Sequence, residues 1–151
     1  MEIYDLKNKQ EYLREISELT EEAWGSYRDL KEFEEKVDKK MQKITSLLDN
    51  PCYCKLLLVD SEELVGFISL FPTDGEERTD LCPWYATMYV KEKYRGKGYS
   101  KILNDAILKE AKNRGFKKVF LKSDLENYYE KFGAVYMETL KNGEKLFYIE
   151  T

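Results

Sequence analysis

The sequence predicts a single α/β domain that spans residues 1–151, and three observations support this class. A length of 151 residues is ordinary for one domain with its own core. Hydrophobic residues make up 42% of the chain and charged residues 36%, with little glycine or proline, which disfavours disorder and fibrous repeats. Helical and strand-like patterns follow one another without a repeat, a linker or a low-complexity tract.

The first half of the chain predicts a short strand, two helices and a hairpin. Apolar residues recur at helical spacing in two segments, and Asp-Asn-Pro at 49–51 ends the second. A polar turn at 60–63 joins two strand-like runs into a hairpin. In order, these elements are strand 3–6, helices 9–24 and 29–48, and strands 53–59 and 64–71.

The second half predicts a long polar loop, four strands and two helices. The loop is long enough to carry function. Gly115 closes the longer helix, and the turn at 141–144 joins the last two strands. In order, these elements are loop 72–83, strand 84–90, helix 99–114, strand 118–121, short helix 127–132, and strands 134–140 and 145–150.

The cysteine and histidine content excludes several kinds of chemistry. Three cysteines, an odd number, argue against a disulfide framework. Cys52 and Cys54 are expected to share one face of a strand, and Cys82 is expected to be remote from them. The chain has no histidine, which excludes Ser-His-Asp and Cys-His catalysis and leaves a thiolate zinc site without a fourth ligand. We therefore expect no metal site.

Charge is distributed unevenly between the two halves of the chain. The net charge is −4, but residues 1–80 carry −9 and residues 81–151 carry +5. No basic stripe with exposed aromatic residues is present, so nucleic acid is an improbable partner. The longest apolar run, 56–59, is too short for a membrane span, and no secretion signal is recognisable at the N-terminus. We expect a cytoplasmic protein without membrane association.

Residues 84–100 are the most informative segment, because they predict a strand, a basic glycine turn and the start of a helix. Gly96 and Gly98 allow backbone N–H groups to close around an anion, and the helix that follows adds unpaired amides and the positive end of its dipole. Three basic side chains add positive charge: Lys93, Arg95 and Lys97. The segment therefore predicts a site for a ligand with several phosphates.

Two well-known phosphate-binding loops do not fit this segment. A Rossmann fingerprint needs a third glycine at position 101, where this chain has Lys101. A Walker loop needs Gly-Lys followed by Ser or Thr, four residues after a first glycine, and the segment has no such pattern. A basic turn that merely precedes a helix remains the structural alternative.

The run Arg95-Gly96-Lys97-Gly98-Tyr99-Ser100 resembles motif A of the GCN5-related N-acetyltransferases, the GNAT family. In that family the turn binds the pyrophosphate of acetyl-CoA through main-chain amides. The resemblance implies the same for residues 95–101, with the side chains of Lys97 and Lys101 also able to meet phosphate oxygens. Ser100 departs from the usual Gly or Ala, and its hydroxyl could donate to a phosphate or cap the helix.

Residues on the preceding strand extend the resemblance. Met88-Tyr89-Val90 looks like the family's strand that is splayed from its parallel neighbour, so that pantetheine can pair with free backbone groups. Met88 and Val90 would contribute those groups, and one amide would face the thioester oxygen as it gains charge. The implied fold is a mixed, mostly antiparallel sheet with one splayed parallel strand pair, flanked by helices.

A tyrosine after the next strand supplies the expected proton donor. Residues 128–133 look like the family's tyrosine-bearing helix followed by glycine, which implies that Tyr129 protonates the leaving thiolate. Its neighbour Tyr128 is the alternative. The base that takes the proton of the amine is left open among a carboxylate, a tyrosine and water. Glu76, Glu77 and Asp80 lie in the loop near the expected approach of an acceptor, although each is equally explained as a solvated loop charge. Tyr85, expected on the strand face opposite Met88, could line the acceptor pocket or belong to the core, and no base is assigned.

The resemblance covers about residues 52–150 and implies an N-acetyltransferase. It would transfer the acetyl group of acetyl-CoA to a primary amine of a small molecule or peptide, by direct attack in a ternary complex. The acidic N-terminal half suggests a cationic acceptor, and a monomer or a homodimer is expected. The alternatives are a non-catalytic acyl-CoA-binding regulatory module and a general nucleotide-binding protein.

Overall fold

In the described part of the chain, seven strands form one sheet, and three helices cover its two faces. The computed structural model describes residues 1–125 and 127–151. The order of the strands in the sheet is β1-β2-β3-β4-β5-β7-β6. The strands are β1 (Glu2–Asp5), β2 (Cys54–Asp60), β3 (Glu63–Phe71), β4 (Trp84–Val90), β5 (Lys118–Ser123), β6 (Val135–Thr139) and β7 (Lys145–Glu150), and the helices are α1 (Leu13–Trp24), α2 (Leu30–Leu47) and α3 (Tyr99–Asn113). Within the described residues, no helix has both the length and the apolar character needed to cross a membrane.

Strands β4 and β5 are the one parallel pair in this sheet, and they are paired at a single position, Trp84 opposite Phe120. The other neighbouring strands are antiparallel. Beyond Trp84, the backbone of β4 has no ladder partner on its β5 side. The expected mixed sheet with a splayed parallel pair is therefore confirmed.

Most predicted elements are present, and the differences are local. The predicted helix at 9–24 begins with a 3-10 turn at Gln10–Tyr12, and α1 starts only at Leu13. The predicted helix at 127–132 is a 3-10 turn at Tyr129–Phe132. Helix α2 begins as its sequence predicts, because the Asp29 side chain accepts a hydrogen bond from the Glu32 N–H and caps the first turn.

The core has two layers, one on each face of the sheet. Helix α3 packs on one face, where its side chains meet those of β2, β3, β5 and β7. Helices α1 and α2 pack on the other face, against Leu57 and Val59 of β2 and against Leu64 and Phe67 of β3. Gly66 brings β3 and β4 close together, because a Cβ there would lie 2.4 Å from the Tyr89 carbonyl oxygen.

A bulge in β4 changes which residues share a face. The pairing of β3 with β4 shifts register between Phe67 and Ser69, and Thr87 opposite this shift has φ +52°. As a result Tyr85 and Met88, three residues apart, both pack against the core under α3. The expectation that they lie on opposite faces is wrong, because the extra residue breaks the two-residue alternation of the strand.

The expected arrangement of the cysteines is also wrong. Cys52 precedes β2, and its Sγ lies 2.9 Å from Sγ of Cys82. Cys54 lies elsewhere, buried at the start of β2. Cys52 and Cys82 meet because β2 and β4 both run antiparallel to β3. The residues that precede these two strands therefore lie at the same end of the sheet.

One lysine lies inside the core of this fold. Lys55, on β2, is 2% exposed, and its Nζ lies 4.9 Å from the centroid of the Phe67 ring and 5.8 Å from that of Phe71. Burial lowers the pKa of its amine from 10.5 to about 7, and the nearby Lys40 charge adds to this shift. At and below neutral pH the folded protein must therefore hold an ammonium group that water would solvate better.

We expect Lys55→Met to stabilise the protein by roughly 4 to 5 kcal/mol at pH 6, from the lowered pKa of the buried amine. Below pH 7 the folded and unfolded states both carry the lysine proton, so the full penalty of burying the charge is present. Between about pH 7 and 10.5 the unfolded state binds more protons, so the stability of the unmodified protein rises with pH and the gain from the substitution shrinks.

Urea denaturation at pH 6 and pH 9 measures this difference. Lys39→Met is the matched control, since Lys39 is an exposed lysine on α2, and its substitution should change stability by less than about 0.5 kcal/mol. A Lys55→Met variant that is less stable than the unmodified protein at pH 6 would contradict the assigned burial.

Candidate active site

A cavity of about 490 Å³ lies beside the free part of β4. Its walls come from four parts of the chain: the end of α1, residues 88–90 of β4, the glycine turn with the first residues of α3, and Tyr128 with Tyr129. Predicted site residues from three separate segments are thus brought to one cavity.

The glycine turn presents free backbone donors to this cavity. Gly96 and Gly98 have φ of +77° and +84°, a region that residues with a side chain enter only with strain. Gly98 is the N-cap of α3, and no side chain caps the N–H groups of the first turn. A Cβ at either glycine would meet no atom within 4 Å. The open space above these amides is suited to an anionic group.

Ser100 does not cap α3. The helix begins at Tyr99, so Ser100 lies within the first turn, on the wall of the cavity, and the N-cap position belongs to Gly98. Capping by Ser100, one of the two expected uses of its hydroxyl, is therefore wrong. Ser100 lies on the cavity wall, so a hydrogen bond from its hydroxyl to a phosphate stays a prediction.

Arg95 ties the glycine turn to β4. Its Nε donates to the Val90 carbonyl oxygen at 2.8 Å, and its guanidinium carbon lies 5.6 Å from the centroid of the Tyr89 ring. The Val90 carbonyl, predicted to be free for pantetheine, thus already accepts one hydrogen bond from within the chain. Arg95 also lines the cavity, so its terminal nitrogens are placed near any anion bound there.

The side chains of Lys97 and Lys101 are not on the wall of this cavity. The Lys97 Nζ lies 5.9 Å from the ring centroid of Tyr94, and the Lys101 Nζ is 2.8 Å from a carboxylate oxygen of Asp105. Contacts of these two ammonium groups with phosphate oxygens therefore stay a prediction. Position 101 is one turn before position 105 on α3, so Lys101 pairs along the exposed helix surface instead.

Tyr129 is the more enclosed of the two adjacent tyrosines at the cavity. It is half-buried, and its ring makes edge-on contacts with those of Tyr128 and Tyr85, at centroid distances of 4.8 Å and 6.3 Å. Among the residues that the structure describes, none hydrogen-bonds its hydroxyl. Burial raises the pKa of the Tyr129 phenol above 10.0, with a smaller contribution from Tyr128. The group is therefore a neutral, unengaged proton donor at physiological pH.

Three cavity residues were not anticipated from the sequence. Ala23 and Trp24 come from the last turn of α1, and Tyr94 comes from the turn before Arg95. The Trp24 ring lies 6.0 Å from that of Tyr89, yet its side chain is 54% exposed. The signal for Trp24 was a large aromatic residue at the end of an amphipathic helix, where no core position requires one.

None of the candidate bases lies on the wall of this cavity. Asp80 is ion-paired with Arg78 at 3.0 Å, and hydrogen bonds from that guanidinium lower the pKa of Asp80, which makes it a weaker base. Tyr85 is buried, and its hydroxyl donates to a side chain of α3. Glu76 and Glu77 belong to the polar loop, away from this cavity. The structure assigns no base among these groups.

One group of potential metal ligands is occupied by a guanidinium. Asp5, Cys54 and Glu110 bring ligand atoms within 4.8 Å of one another. Arg114 lies among them, 2.9 Å from the Glu110 carboxylate and 3.5 Å from that of Asp5. Burial also raises the pKa of the Cys54 thiol to about 12, so the thiolate that a metal requires is disfavoured. This cluster is a partly buried ion-pair network.

Solved structures with the same fold are acetyltransferases. The aminoglycoside 6′-acetyltransferase type Ii is 23% identical, with a TM-score of 0.73 over 99% of this chain and 97% of that one. A variant of the spermidine N-acetyltransferase SpeG from Vibrio cholerae is 18% identical, with a TM-score of 0.70 over 99% and 95% of the two chains. The PaiA N-acetyltransferase from Thermoplasma acidophilum, in complex with coenzyme A, is 18% identical, with a TM-score of 0.66 over the full length of both.

Comparison by sequence identifies the family. No curated protein matches this chain at a significant level. Residues 13–134 match the model of the Acetyltransferase (GNAT) family, a range that includes the glycine turn, the splayed strand and Tyr129. The chain therefore belongs to the GNAT family of acetyltransferases.

Proposed function

We propose that this protein is an N-acetyltransferase that transfers the acetyl group of acetyl-CoA to a primary amine of a small molecule. The observation that carries the proposal is one cavity, which joins the open glycine turn, the unpaired edge of β4 and the Tyr129 phenol. Solved structures of this fold include acetyltransferases for aminoglycosides and for spermidine, which supports an amine as acceptor.

The glycine turn suits the pyrophosphate of the cosubstrate. Uncapped amides at the start of α3 offer hydrogen bonds, the positive end of the helix dipole favours negative charge, and Arg95 adds a guanidinium beside them. The exposed ammonium groups of Lys97 and Lys101 then act at longer range, and salt screens them.

The free edge of β4 suits the rest of the cosubstrate. Met88 follows the bulge and lines the cavity, so its backbone is available where β5 has diverged. Acetyl-CoA supplies a thioester that an amine can attack. We place the Met88 N–H at the thioester oxygen, where it stabilises the negative charge that develops during attack.

Tyr129 is placed to protonate the leaving thiolate. Its phenol is neutral, half-buried and without a protein partner in the described residues, which leaves its proton available to a ligand. General acid catalysis by a positioned side chain typically contributes about 10² to 10⁴ in rate. Tyr128 is more exposed, and the Lys131 ammonium covers its ring at 4.2 Å, so Tyr129 is the better candidate.

Release of free thiol from acetyl-CoA in the presence of an amine tests the proposed function. We expect release that depends on the amine, together with an acetylated product 42 Da heavier by mass spectrometry. A panel of small amines, a lysine peptide and a free peptide N-terminus separates the acceptor classes. Tight acetyl-CoA binding with no amine-dependent release would favour a non-catalytic acyl-CoA-binding module, and equal affinity for ATP and CoA would favour general nucleotide binding.

Gly98→Ala should weaken acetyl-CoA binding about tenfold. The substitution strains a backbone at φ +84° by roughly 1 kcal/mol, and it places a methyl group in the space above the free amides. Gly115→Ala is a matched control, because Gly115 has φ +90° and similar open space but lies at the far end of α3. Calorimetric titration should show weakened binding for the first variant alone. Equal affinities would contradict the phosphate-binding role of the turn.

Tyr129→Phe should lower kcat about 100-fold and leave the KM for acetyl-CoA within about threefold. Because the pKa of Tyr129 lies above 10.0, the unmodified enzyme should retain this proton donor at pH 9, and its kcat should not fall between pH 7 and 9 through loss of that proton. Tyr128→Phe, the control, should change kcat less than threefold. Unchanged turnover of Tyr129→Phe at pH 7 would remove this residue from the mechanism.

A further inference from the structure

A second cavity lies on the α1 and α2 side of the sheet. Its volume is about 270 Å³, and it is formed by the second half of α2, by β2 and β3, and by the loop that follows β3. Thr87 lines this cavity, whereas the next residue, Met88, lines the first one. Neighbouring residues at the bulge of β4 thus line different cavities, and under the proposed function the thioester lies beside Met88, one residue from the wall of the second cavity.

Lys55 is the unusual group on the wall of this second cavity. Its side chain is almost completely buried, and among the described residues no carboxylate or hydrogen-bond acceptor pairs with its ammonium group. Its ammonium group lies near the aromatic rings of Phe67 and Phe71, and the nearby Lys40 charge repels it. An unpaired buried ammonium is destabilising, and an anion bound in the cavity would supply the missing partner.

The other charged side chains on the wall of the second cavity are mostly lysines, which add to the positive charge of Lys55. Lys40 and Lys43 line it from α2, and Lys43 has no ion-pair partner in the part of the chain described here. Lys40 lies 3.9 Å from the carboxylate of Glu21. Asp74 is the one carboxylate on the wall, and Lys122 already contacts it, with Nζ 3.8 Å from the carboxylate and 2.6 Å from the backbone carbonyl. Cationic side chains thus outnumber anionic ones.

The register of the sheet gives the distance between the two ends of this cavity. Lys55 lies opposite Ser69, and Ser69 lies opposite Ala86, so the three residues form a row across β2, β3 and β4. Two strand spacings separate the backbones of Lys55 and Ala86 by about 10 Å. A short molecule can therefore reach from the lysines to the edge of the first cavity.

We propose that the acceptor is a small amine that also carries a carboxylate or phosphate group, held by Lys55 and Lys43 while its amine points toward Thr87. This inference rests on the proposed N-acetyltransferase function and names its substrate class. In the reaction, the nitrogen of the neutral amine forms a bond to the acetyl carbon, the carbon–sulfur bond breaks, the thiolate gains a proton, and the nitrogen loses one.

This acceptor differs from the cationic one that the uneven charge of the chain suggests. Net charge over 80 residues counts many solvated side chains on the outer faces of α1 and α2, far from any ligand. A buried lysine on the cavity wall acts on a bound group at close range and in a medium of lower dielectric constant. The local charge therefore decides which acceptor binds.

Matched pairs of amines test the proposal. Amino carboxylates with two to five methylene groups are compared with alkylamines of equal length, and aminoalkyl phosphates with the corresponding amino alcohols; spermidine and an aminoglycoside represent cationic acceptors. We expect kcat/KM to be at least tenfold higher for the anionic member of one series, and the better series tells carboxylate from phosphate. Higher kcat/KM for the cationic or neutral amines would overturn the proposal.

Lys55→Met tests the residue that the proposal depends on. The variant should reduce the preference for the anionic amine to less than threefold, mainly through a higher KM, and should leave turnover of the neutral partner within threefold. Lys39→Met, the same change at an exposed position of α2, should keep the preference. An equal loss with anionic and neutral amines would instead assign Lys55 to catalysis and overturn its role in anion binding.

Direct anion binding separates this inference from the proposed function. Inorganic phosphate and acetate are titrated against the unmodified protein and against Lys55→Met, with thermal unfolding as the readout and chloride at equal ionic strength as the control. We expect one of the two anions to raise the unfolding temperature of the unmodified protein more than that of Lys55→Met, because any phosphate bound at the glycine turn stabilises both proteins equally. Anion binding without acetylation of any amine would refute the enzymatic function, whereas acetylation without anion binding or preference would refute this inference alone.

Discussion

The separation of β4 from β5 is the constraint on which the site depends. The two parallel strands pair only at Trp84 and Phe120. Trp84 is fully buried and its indole N–H donates to the Leu81 carbonyl, which anchors the start of β4 firmly in the sheet. Beyond that anchor, the strand keeps β3 as its partner but has an open side. Continued pairing with β5 would satisfy the same backbone groups and leave no edge for a ligand.

The bulge at Thr87 divides neighbouring residues of this open strand between the two cavities. It turns Met88 toward the face covered by α3, while Ala86 and Thr87 border the cavity on the other side. A hydrogen bond of 3.0 Å between the hydroxyls of Thr87 and Ser69 holds the irregular segment against β3. The two cavities attract negative charge by different means: the first uses backbone amides at a helix start, the second uses lysine side chains.

Much of the first cavity could be predicted from the sequence, but not its side-chain directions. The segments around Gly96, Met88 and Tyr129 do meet at one place, as the resemblance to the GNAT family implies. The ammonium group of Lys101 pairs elsewhere because its direction depends on the rotation of α3 about its axis. Lys55 carried only a weak signal, a lone lysine in an otherwise apolar strand. Because both faces of this strand are buried, its sequence does not show which groups surround the lysine.

Local patterns in the sequence were enough to predict the three long helices, the strands, the hairpins and the glycine turn. Periodicity, capping residues and the left-handed backbone of glycine depend on residues that are close together in the chain. The splayed pair of β4 and β5 was expected from the family resemblance, whereas the shared face of Tyr85 and Met88 and the cavity that Lys55 faces with Lys43 emerged from the folded structure alone. These features arise where distant segments pack and where one bulge reverses the alternation of a strand, so no local pattern contains them.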